Sequence, residues 1–311
     1  MTGRAELRFD DRCVVISGAG RGIGRAHALE LARRGAGVVV NDISPAPANE
    51  VVHEIKAAGG RAIAVAGDVA DAETCRMLVA RACEAFRSVD AVIANASING
   101  RGKSFVDLAP SDVRAMLDVN VFGTWSLLQA AWPQLTIRGR GRVLLTTSQA
   151  ALYGMANLSE YALAKAAMLG LMRTLAHEGA PSGVKVNALA PAAATRMTEQ
   201  TIGDERALAL LRMVQPPELV APAAALLVHD ACPASGEIFV AGGGHVGRVF
   251  IGETQGVTMP GAAFTSETLQ AQWRSVCDDA GYRVPRNILE TGDLQQKAEI
   301  ARQLRELGFG F

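Results

Sequence analysis

Tyr161 and Lys165 stand four residues apart in the segment YALAK, and Ser148 closes the run RVLLTTS thirteen residues before the tyrosine. On a helix, side chains at i and i+4 share one face, so the Lys165 ammonium would lie near the Tyr161 phenol. A phenol with a pKa near 10 is a poor base at neutral pH, and lowering that pKa toward ~7 takes about 4 kcal/mol of preferential stabilisation of the phenolate. The pair therefore predicts a general acid/base with its charge partner. Because the motif is short, an inert pair on a helix surface stays open as the alternative.

A second candidate site is the glycine-rich stretch ISGAGRGIG at residues 16–24. Its spacing G-x-x-x-G-x-G, formed by Gly18, Gly22 and Gly24, lies between a predicted strand and an Ala/Leu-rich predicted helix. Glycines there permit a tight turn, close approach of a phosphate to the backbone, and close packing of helix on strand. A helix N-terminus also attracts phosphate. The loop therefore predicts a dinucleotide site, against the alternative of a glycine turn without a ligand.

Asp42 bears on which dinucleotide would bind. It ends the second predicted strand, twenty residues after Gly22, where a carboxylate would accept hydrogen bonds from both hydroxyls of the adenosine ribose. A carboxylate there would repel a 2′-phosphate, so the sequence favours NAD over NADP. Two alternatives stay open: Asp42 is a turn residue before Ser44-Pro45, or Arg21 in the glycine loop meets a 2′-phosphate.

Short β-branched runs alternate along the chain with longer segments of helical period. The alternation predicts an α/β fold, a Rossmann-type doubly wound sheet, mostly parallel and seven-stranded, with helices on both faces. The predicted strands are Cys13–Ser17, Val38–Asn41, Ala62–Ala66, Ala91–Ala94, Val143–Thr147, Val184–Ala188 and Ile238–Val240.

The same pattern predicts how the chain is divided. Residues 1–247 would form the main domain, and residues 248–311 a C-terminal extension packed on the same or a neighbouring subunit. Residues 191–217 interrupt the alternation and are predicted to form a lid over the binding site. The second glycine cluster, AGGGHVG at Ala241–Gly247, is predicted to be a flexible chain exit.

Composition limits the class of function. The 311 residues are 49% hydrophobic, enough for a sizeable core, and 31 basic against 31 acidic residues argue against nucleic acid or an anionic membrane as partner. The five cysteines form no C-x-x-C pair and the five histidines show no ligand spacing, so no metal site is predicted. With no segment resembling a membrane helix or a signal peptide, we expect a cytoplasmic protein that acts on a small molecule.

Taken in chain order, these motifs resemble the short-chain dehydrogenase/reductase family over roughly residues 9–245. The motifs that carry the resemblance are the glycine loop, Asp68-Val69 after the third strand, Asn95-Ala96 after the fourth, Asn120 in LDVNVFG, Ser148, and Tyr161-x-x-x-Lys165. The chain departs from the family pattern at Ser17, Ser97 and Ala192, none of which is a catalytic position.

The resemblance implies a role for each residue. Tyr161 would be the general acid/base, Ser148 the donor that holds the substrate oxygen, and Lys165 the group that lowers the pKa of Tyr161 and binds the nicotinamide ribose. Asn120 would position a water for proton relay, with a tolerated polar residue on a long helix as the alternative. The implied cofactor contacts are Gly18, Arg21, Gly22, Ile23, Gly24, Asp42, Asp68, Val69, Asn95, Ala96, Tyr161, Lys165, Pro191 and Thr195.

Within the family, the chain looks most like the (3R)-hydroxyacyl-CoA dehydrogenase module of the D-bifunctional (multifunctional) proteins, through segments such as PPELVAPAAALLVHD. That implies NAD-dependent interconversion of a (3R)-hydroxyacyl thioester and its 3-oxoacyl form, by a homotetramer or homodimer. The apolar residues of Leu208–Met213 suit an acyl chain and equally a steroid or other bulky secondary alcohol. A non-catalytic NAD-sensing regulator is a remote alternative, because the four catalytic positions are all filled.

Overall fold

The structure is a computed structural model of the chain, and it describes residues 6–194, 204–292, 300, 302–303 and 306. The chain separates into two compact units, Met1–Val249 and Phe250–Phe311. In the second unit, the rings of Phe250 and Tyr282 stack 5.6 Å apart, and Glu253 pairs with Arg283 in an isolated antiparallel bridge. The candidate site lies in the first unit.

The first unit is built on one eight-stranded sheet in the order β3-β2-β1-β4-β5-β6-β7-β8. Pairs from β3 through β7 are parallel, and β8 runs antiparallel to β7. The strands are β1 Cys13–Ile16, β2 Gly37–Asp42, β3 Arg61–Ala66, β4 Ala91–Ala94, β5 Arg142–Thr146, β6 Lys185–Pro191, β7 Ile238–Gly242 and β8 His245–Val249.

Helices connect the strands in βαβ units, as parallel pairing requires. They are α1 Gly22–Arg33, α2 Pro45–Ala57, α3 Ala72–Phe86, α4 Pro110–Leu117, a π-helix Asp118–Gly123, α5 Thr124–Ile137, α6 Gln149–Tyr153, α7 Ser159–Gly179, α8 Glu205–Val214 and α9 Ala221–Leu227, followed in the second unit by α10 Ser266–Ala271 and α11 Trp273–Val276. Short 3₁₀ turns occur at Phe105–Asp107, Ala180–Ser182, Pro217–Leu219, Gly261–Ala263 and Ile288–Glu290. Among the helices in the described ranges, none has the length and apolar character needed to cross a bilayer.

Two hydrophobic layers enclose the sheet. On one face, Ile16 packs in a cluster with Leu31 of α1. On the other, Val15 packs in a cluster with Leu127 of α5 and Met168 of α7. Because successive side chains of β1 enter opposite layers, the strand is buried on both faces and reads as a continuous apolar run. The predicted doubly wound Rossmann-type fold is confirmed.

The strand order reverses between β1 and β4. The chain builds outward from β1 to β3, then crosses back to place β4 on the other side of β1. In such sheets the loops leaving the carboxyl ends of the two central strands diverge and leave a crevice, which is where ligands bind. The glycine loop follows β1 and Asn95 follows β4, so both candidate motifs lie at this crevice.

The prediction of seven strands was one short, and the prediction of a flexible exit at Ala241–Gly247 was wrong. Gly242 pairs with His245, so Gly243 and Gly244 form a two-residue hairpin loop, with φ of 56° and 79°. Positive φ at both central residues matches the twist of a tight β-hairpin, and glycine adopts it without steric cost. The glycines that suggested flexibility instead turn the chain into β8.

The segment predicted to be a lid contains α8. Asp204 caps this helix by accepting hydrogen bonds from the backbone N–H groups of Arg206 and Ala207, at 2.8 and 3.3 Å. Leu208 is 4% exposed and belongs to the core, whereas Leu210 and Met213 are 55% and 72% exposed. Residues 195–203, and with them Thr195, lie outside the described residues, so the predicted lid and the predicted role of Thr195 stay predictions.

Candidate active site

A cleft of about 680 Å³ opens at the carboxyl ends of the central strands. It brings together candidate residues that the sequence spreads over more than 170 positions. The sequence-predicted residues that line it are Gly18, Arg21, Gly22, Ile23, Gly24, Asp42, Asp68, Val69, Asn95, Ala96, Ser148, Tyr161, Lys165 and Pro191. A single cleft therefore holds both the glycine loop and the Tyr-Lys pair.

The glycine loop has the geometry that a dinucleotide needs. Gly22 has φ of +52°, and the first residues of α1 line the cleft while Arg21, the N-cap, supplies no side-chain cap. The first-turn N–H groups of α1 are thus left for a ligand. A Cβ on Gly24 would lie 2.2 Å from the carbonyl oxygen of Gly18, so only glycine lets the helix approach the loop this closely. The residues present fit a pyrophosphate.

Asn95 and Ser17 hold the loop against the neighbouring strand. The Asn95 side chain donates to the carbonyl oxygens of Ser17 and Gly18 at 3.1 and 3.0 Å. The Ser17 hydroxyl oxygen accepts from the backbone N–H groups of Asn95 and Ala96 at 3.0 and 3.1 Å. These four hydrogen bonds join β1 to β4 where the cleft opens. Ser17 stands where the family usually has threonine, and it keeps the hydroxyl that makes two of the four bonds.

Asp42 lies at the end of β2, on the rim of the same cleft. Its Oδ1 accepts the backbone N–H of Ser44 at 3.0 Å, in a turn, and the carboxylate packs directly against Gly20 of the glycine loop. Asp42 can therefore stabilise the turn and still accept hydrogen bonds from an adenosine ribose, because the hydrogen bond from Ser44 occupies only one carboxylate oxygen. Arg21 is exposed and lines the same cleft, so both groups that bear on a 2′-phosphate are present there.

Asn41 also lines the cleft, although the sequence motifs did not predict a role for it there. It is buried at the end of β2, and its side-chain nitrogen donates to the carbonyl oxygens of Val65 and Gly67, both at 3.1 Å. Its Oδ1 accepts the Gly18 N–H at 3.4 Å, which ties the glycine loop to β2 and β3. The available signal was a polar residue directly after the apolar run Val38–Val40 of a strand predicted to be buried, since a buried polar group needs partners.

Ser148 and Tyr161 interact directly. Ser148 is the N-cap of α6, and its hydroxyl oxygen accepts the backbone N–H of Ala150 at 3.1 Å. Its own O–H is thereby left to donate. Burial raises the pKa of the Tyr161 phenol, and a side-chain hydrogen bond with Ser148 opposes that rise. A donor aimed at the phenol oxygen favours the phenolate, as a general base requires.

Lys165 is buried beneath the tyrosine. Its Nζ lies 5.8 Å from the centroid of the Tyr161 ring and donates to the carbonyl oxygen of Thr146 at 3.0 Å. Thr147 donates its hydroxyl to the carbonyl oxygen of Lys165 at 2.8 Å, so the end of β5 holds both the backbone and the side chain of the lysine. Burial lowers the pKa of Lys165 to about 8, which leaves the ammonium mostly charged at neutral pH.

Asn120 lies in the π-helix Asp118–Gly123 rather than in a regular long helix. Its Oδ1 accepts the backbone N–H of Ile98 at 2.9 Å, and its Nδ2 donates to the carbonyl oxygen of the same residue at 3.2 Å. Its own carbonyl oxygen accepts the Thr124 hydroxyl at 3.1 Å. The side chain is buried behind the cleft and fixes the loop after β4, while its predicted relay role stays a prediction.

Residues 12–206, more than half of the chain, match the short chain dehydrogenase family. The chain belongs to that family. Short-chain dehydrogenases are oxidoreductases acting on CH–OH groups with a nicotinamide cofactor, and the small-molecule substrate and the Rossmann-type fold expected from the sequence agree with this membership.

Three relatives place the chain within the short-chain dehydrogenase family. It is 35% identical over 296 residues to the peroxisomal multifunctional enzyme type 2 of Mus musculus, covering 92% of this chain but only 39% of the mouse protein. It is 36% identical to a short-chain type dehydrogenase/reductase of Mycobacterium tuberculosis, covering 88% of this chain and 96% of that protein. A solved 7α-hydroxysteroid dehydrogenase, in complex with NADH and 7-oxo glycochenodeoxycholic acid, matches with a TM-score of 0.70 and 34% identity over 78% of this chain and 98% of that one.

Metal ligands do not gather anywhere in residues 6–194 and 204–292 in a group of three or more. The cysteines at 13, 75 and 83 have pKa values raised by burial, so their thiols are not activated nucleophiles.

Proposed function

We propose that this short-chain dehydrogenase interconverts a (3R)-hydroxyacyl thioester and its 3-oxoacyl form with NAD. The observation that carries the proposal is the single cleft with Asp42 on its rim and Ser148, Tyr161 and Lys165 inside it. The likeness to the mouse multifunctional enzyme supports the thioester, since sequence similarity extends over 92% of this chain.

Different residues of the cleft would each bind one part of the cofactor. The first turn of α1 would hold the pyrophosphate, Asp42 the adenosine ribose, Asp68 and Val69 the adenine, and Lys165 the nicotinamide ribose. NAD supplies the hydride acceptor for the alcohol and, when reduced, the hydride donor for the ketone. Asp42 favours NAD over NADP because its negative charge repels a 2′-phosphate.

The catalytic residues would handle the proton. Ser148 donates a hydrogen bond to the substrate oxygen, and Tyr161 takes the hydroxyl proton during oxidation or returns it during reduction. The charged Lys165 below the ring would stabilise the phenolate that forms when Tyr161 gives up its proton. Asn120 would position the water that exchanges this proton with solvent.

A steroid or other bulky secondary alcohol is the second candidate substrate. The structural likeness to 7α-hydroxysteroid dehydrogenase favours it, because the match covers 98% of that chain at 34% identity. The same catalytic residues would serve both substrates, so the choice depends on the walls of the cleft.

The test is NADH formation with a panel of (3R)- and (3S)-hydroxyacyl-CoAs and hydroxysteroids, run in parallel with NADP. We expect turnover of (3R)-hydroxyacyl-CoA with NAD, and a Tyr161→Phe variant that binds NADH normally but turns over at least ~10²-fold more slowly. Turnover of steroids alone would transfer the proposal to the second candidate. Silence on the whole panel while NADH binds would refute both. Assembly as a homotetramer or homodimer stays a prediction that light scattering can test.

A further inference from the structure

Glu160 is a buried carboxylate beside Tyr161 that the reaction described above does not use. It is only 2% exposed and occupies the first turn of α7. Its Oε1 accepts the backbone N–H of Arg101 at 2.7 Å, and its Oε2 is buried without a hydrogen-bond partner among the described residues. Burying a carboxylate costs free energy even at a helix N-terminus, and one hydrogen bond offsets only part of that cost. The burial of Glu160 therefore calls for an explanation.

The partner of Glu160 lies in the loop that follows β4, and this loop forms one wall of the cleft. Ser97, Ile98 and Asn99 line the cleft together with Tyr161. Asn120 fixes the near end of the loop through two hydrogen bonds to Ile98. Glu160 fixes the far end three residues later, so residues 98–101 are held at both ends.

The loop also packs directly on the helix that carries the tyrosine. A Cβ on Gly100 would lie 3.3 Å from the Cβ of Tyr161 and 2.5 Å from a methyl of Leu158. The backbone of the loop therefore touches α7 where the catalytic side chain leaves the helix. A change in the loop position would alter the space beside the Tyr161 phenol.

We propose that Glu160 is a positioning residue, which ties the 98–101 wall to the catalytic helix and so sets the fit of the alcohol or ketone beside Tyr161. The wall lies beyond Asn95 and Ala96, which adjoin the glycine loop, so the cofactor half of the cleft is anchored separately through Ser17 and Asn95. Loss of Glu160 would loosen the substrate wall and leave the cofactor half in place. This inference rests on the proposed function only for the nature of the substrate.

The test compares Glu160→Ala with Glu160→Gln, and uses Glu178→Ala as the matched control. Glutamine keeps an oxygen that accepts the Arg101 N–H, and Glu178 is an exposed residue at the other end of α7. For Glu160→Ala we expect KM for the hydroxyacyl substrate to rise roughly tenfold, with the Kd of NADH within about twofold of wild type. Glu160→Gln is expected to restore KM to within about threefold, and Glu178→Ala to leave it unchanged.

Amide hydrogen exchange gives a readout that needs no turnover. In Glu160→Ala, the peptide covering residues 97–104 should exchange faster than in wild type, whereas in Glu160→Gln it should not. If the alanine variant does not fold, Glu160→Asp replaces it, because its side chain is one methylene too short to reach Arg101. The inference is overturned if exchange and KM stay at wild-type values, if glutamine is as harmful as alanine, or if NADH affinity falls as much as KM rises. A wild-type enzyme that turns over no substrate would count against the proposed function, and exchange would still decide the role of Glu160.

Discussion

Lys165→Met should make the protein more stable while abolishing its activity. The lysine is 3% exposed, and burial lowers its pKa from 10.5 to about 8. At 1.36 kcal/mol per pH unit, that difference corresponds to about 3 kcal/mol by which the fold disfavours the ammonium. Methionine fills a similar volume without a charge, and loss of the hydrogen bond to the Thr146 carbonyl offsets about 1 kcal/mol. We expect a net gain of about 2 kcal/mol in unfolding free energy at pH 7.

The effect has a defined pH dependence. Because the pKa of Lys165 is lower in the folded state than in the unfolded state, the unfolded chain binds more protons between pH 8 and 10.5. The stability of the wild type therefore rises across that window relative to the variant, which has no group to titrate at this position. The advantage of Lys165→Met should be full below pH 8 and shrink toward pH 10.5.

Urea unfolding of both proteins at pH 7 and pH 10, followed by circular dichroism, measures this difference. Lys56→Met is the matched control, since Lys56 is exposed on α2 and its replacement should change stability by less than about 0.5 kcal/mol. NADH formation by Lys165→Met should be undetectable. A variant less stable than wild type at pH 7, or a difference independent of pH, would show that the buried charge of Lys165 does not destabilise the fold.

Three further perturbations address the cofactor half and the wall of the cleft. Asp42→Ala should weaken NADH binding about tenfold and reduce the preference for NADH over NADPH, because it removes both a hydrogen-bond acceptor for the ribose and a charge that repels a 2′-phosphate. Fluorescence titration with the two cofactors measures both affinities. An unchanged ratio of the two Kd values would show that Asp42 does not select the cofactor. Gly24→Ala places a Cβ 2.2 Å from the carbonyl oxygen of Gly18, so it should lower the free energy of unfolding in urea by about 1–3 kcal/mol and also weaken NADH binding. Unchanged NADH binding would mean that the loop does not hold the cofactor. Asn120→Ala removes both hydrogen bonds to Ile98 and should cost about 2 kcal/mol in unfolding free energy; a neutral result would show that the wall holds without them.

The parallel part of the sheet could be predicted because its physics is local and repetitive. Buried parallel strands read as short apolar runs, and Ala91–Ala94 was predicted with the bounds that the structure has. The eighth strand could not be predicted in the same way. His245–Val249 is an edge strand of mixed polarity, and the glycines before it are typical of both a flexible exit and a tight hairpin.

The candidate site shows the same division between local and tertiary signals. Gly18, Gly22 and Gly24 carry their meaning in their spacing, so the sequence predicted the loop. The roles of Asn41 and Glu160 depend on which backbone groups lie beside them, at Val65, Gly67 and Arg101, and no spacing rule gives those neighbours. The sequence also did not predict the π-helix at Asp118–Gly123, in which Asn120 lies.

The end of β5 holds the buried Lys165 in place beside Tyr161. Thr146 and Thr147 hold the side chain and the backbone of the lysine, and the next residue is Ser148, which hydrogen-bonds Tyr161. Three consecutive residues of one strand end therefore fix the lysine, the serine and, through them, the tyrosine. A charge held this rigidly in a buried place destabilises the fold, but it needs no rearrangement when a phenolate forms beside it. A gain of stability together with a loss of turnover in Lys165→Met would therefore measure both how much the buried charge destabilises the fold and how much turnover depends on it.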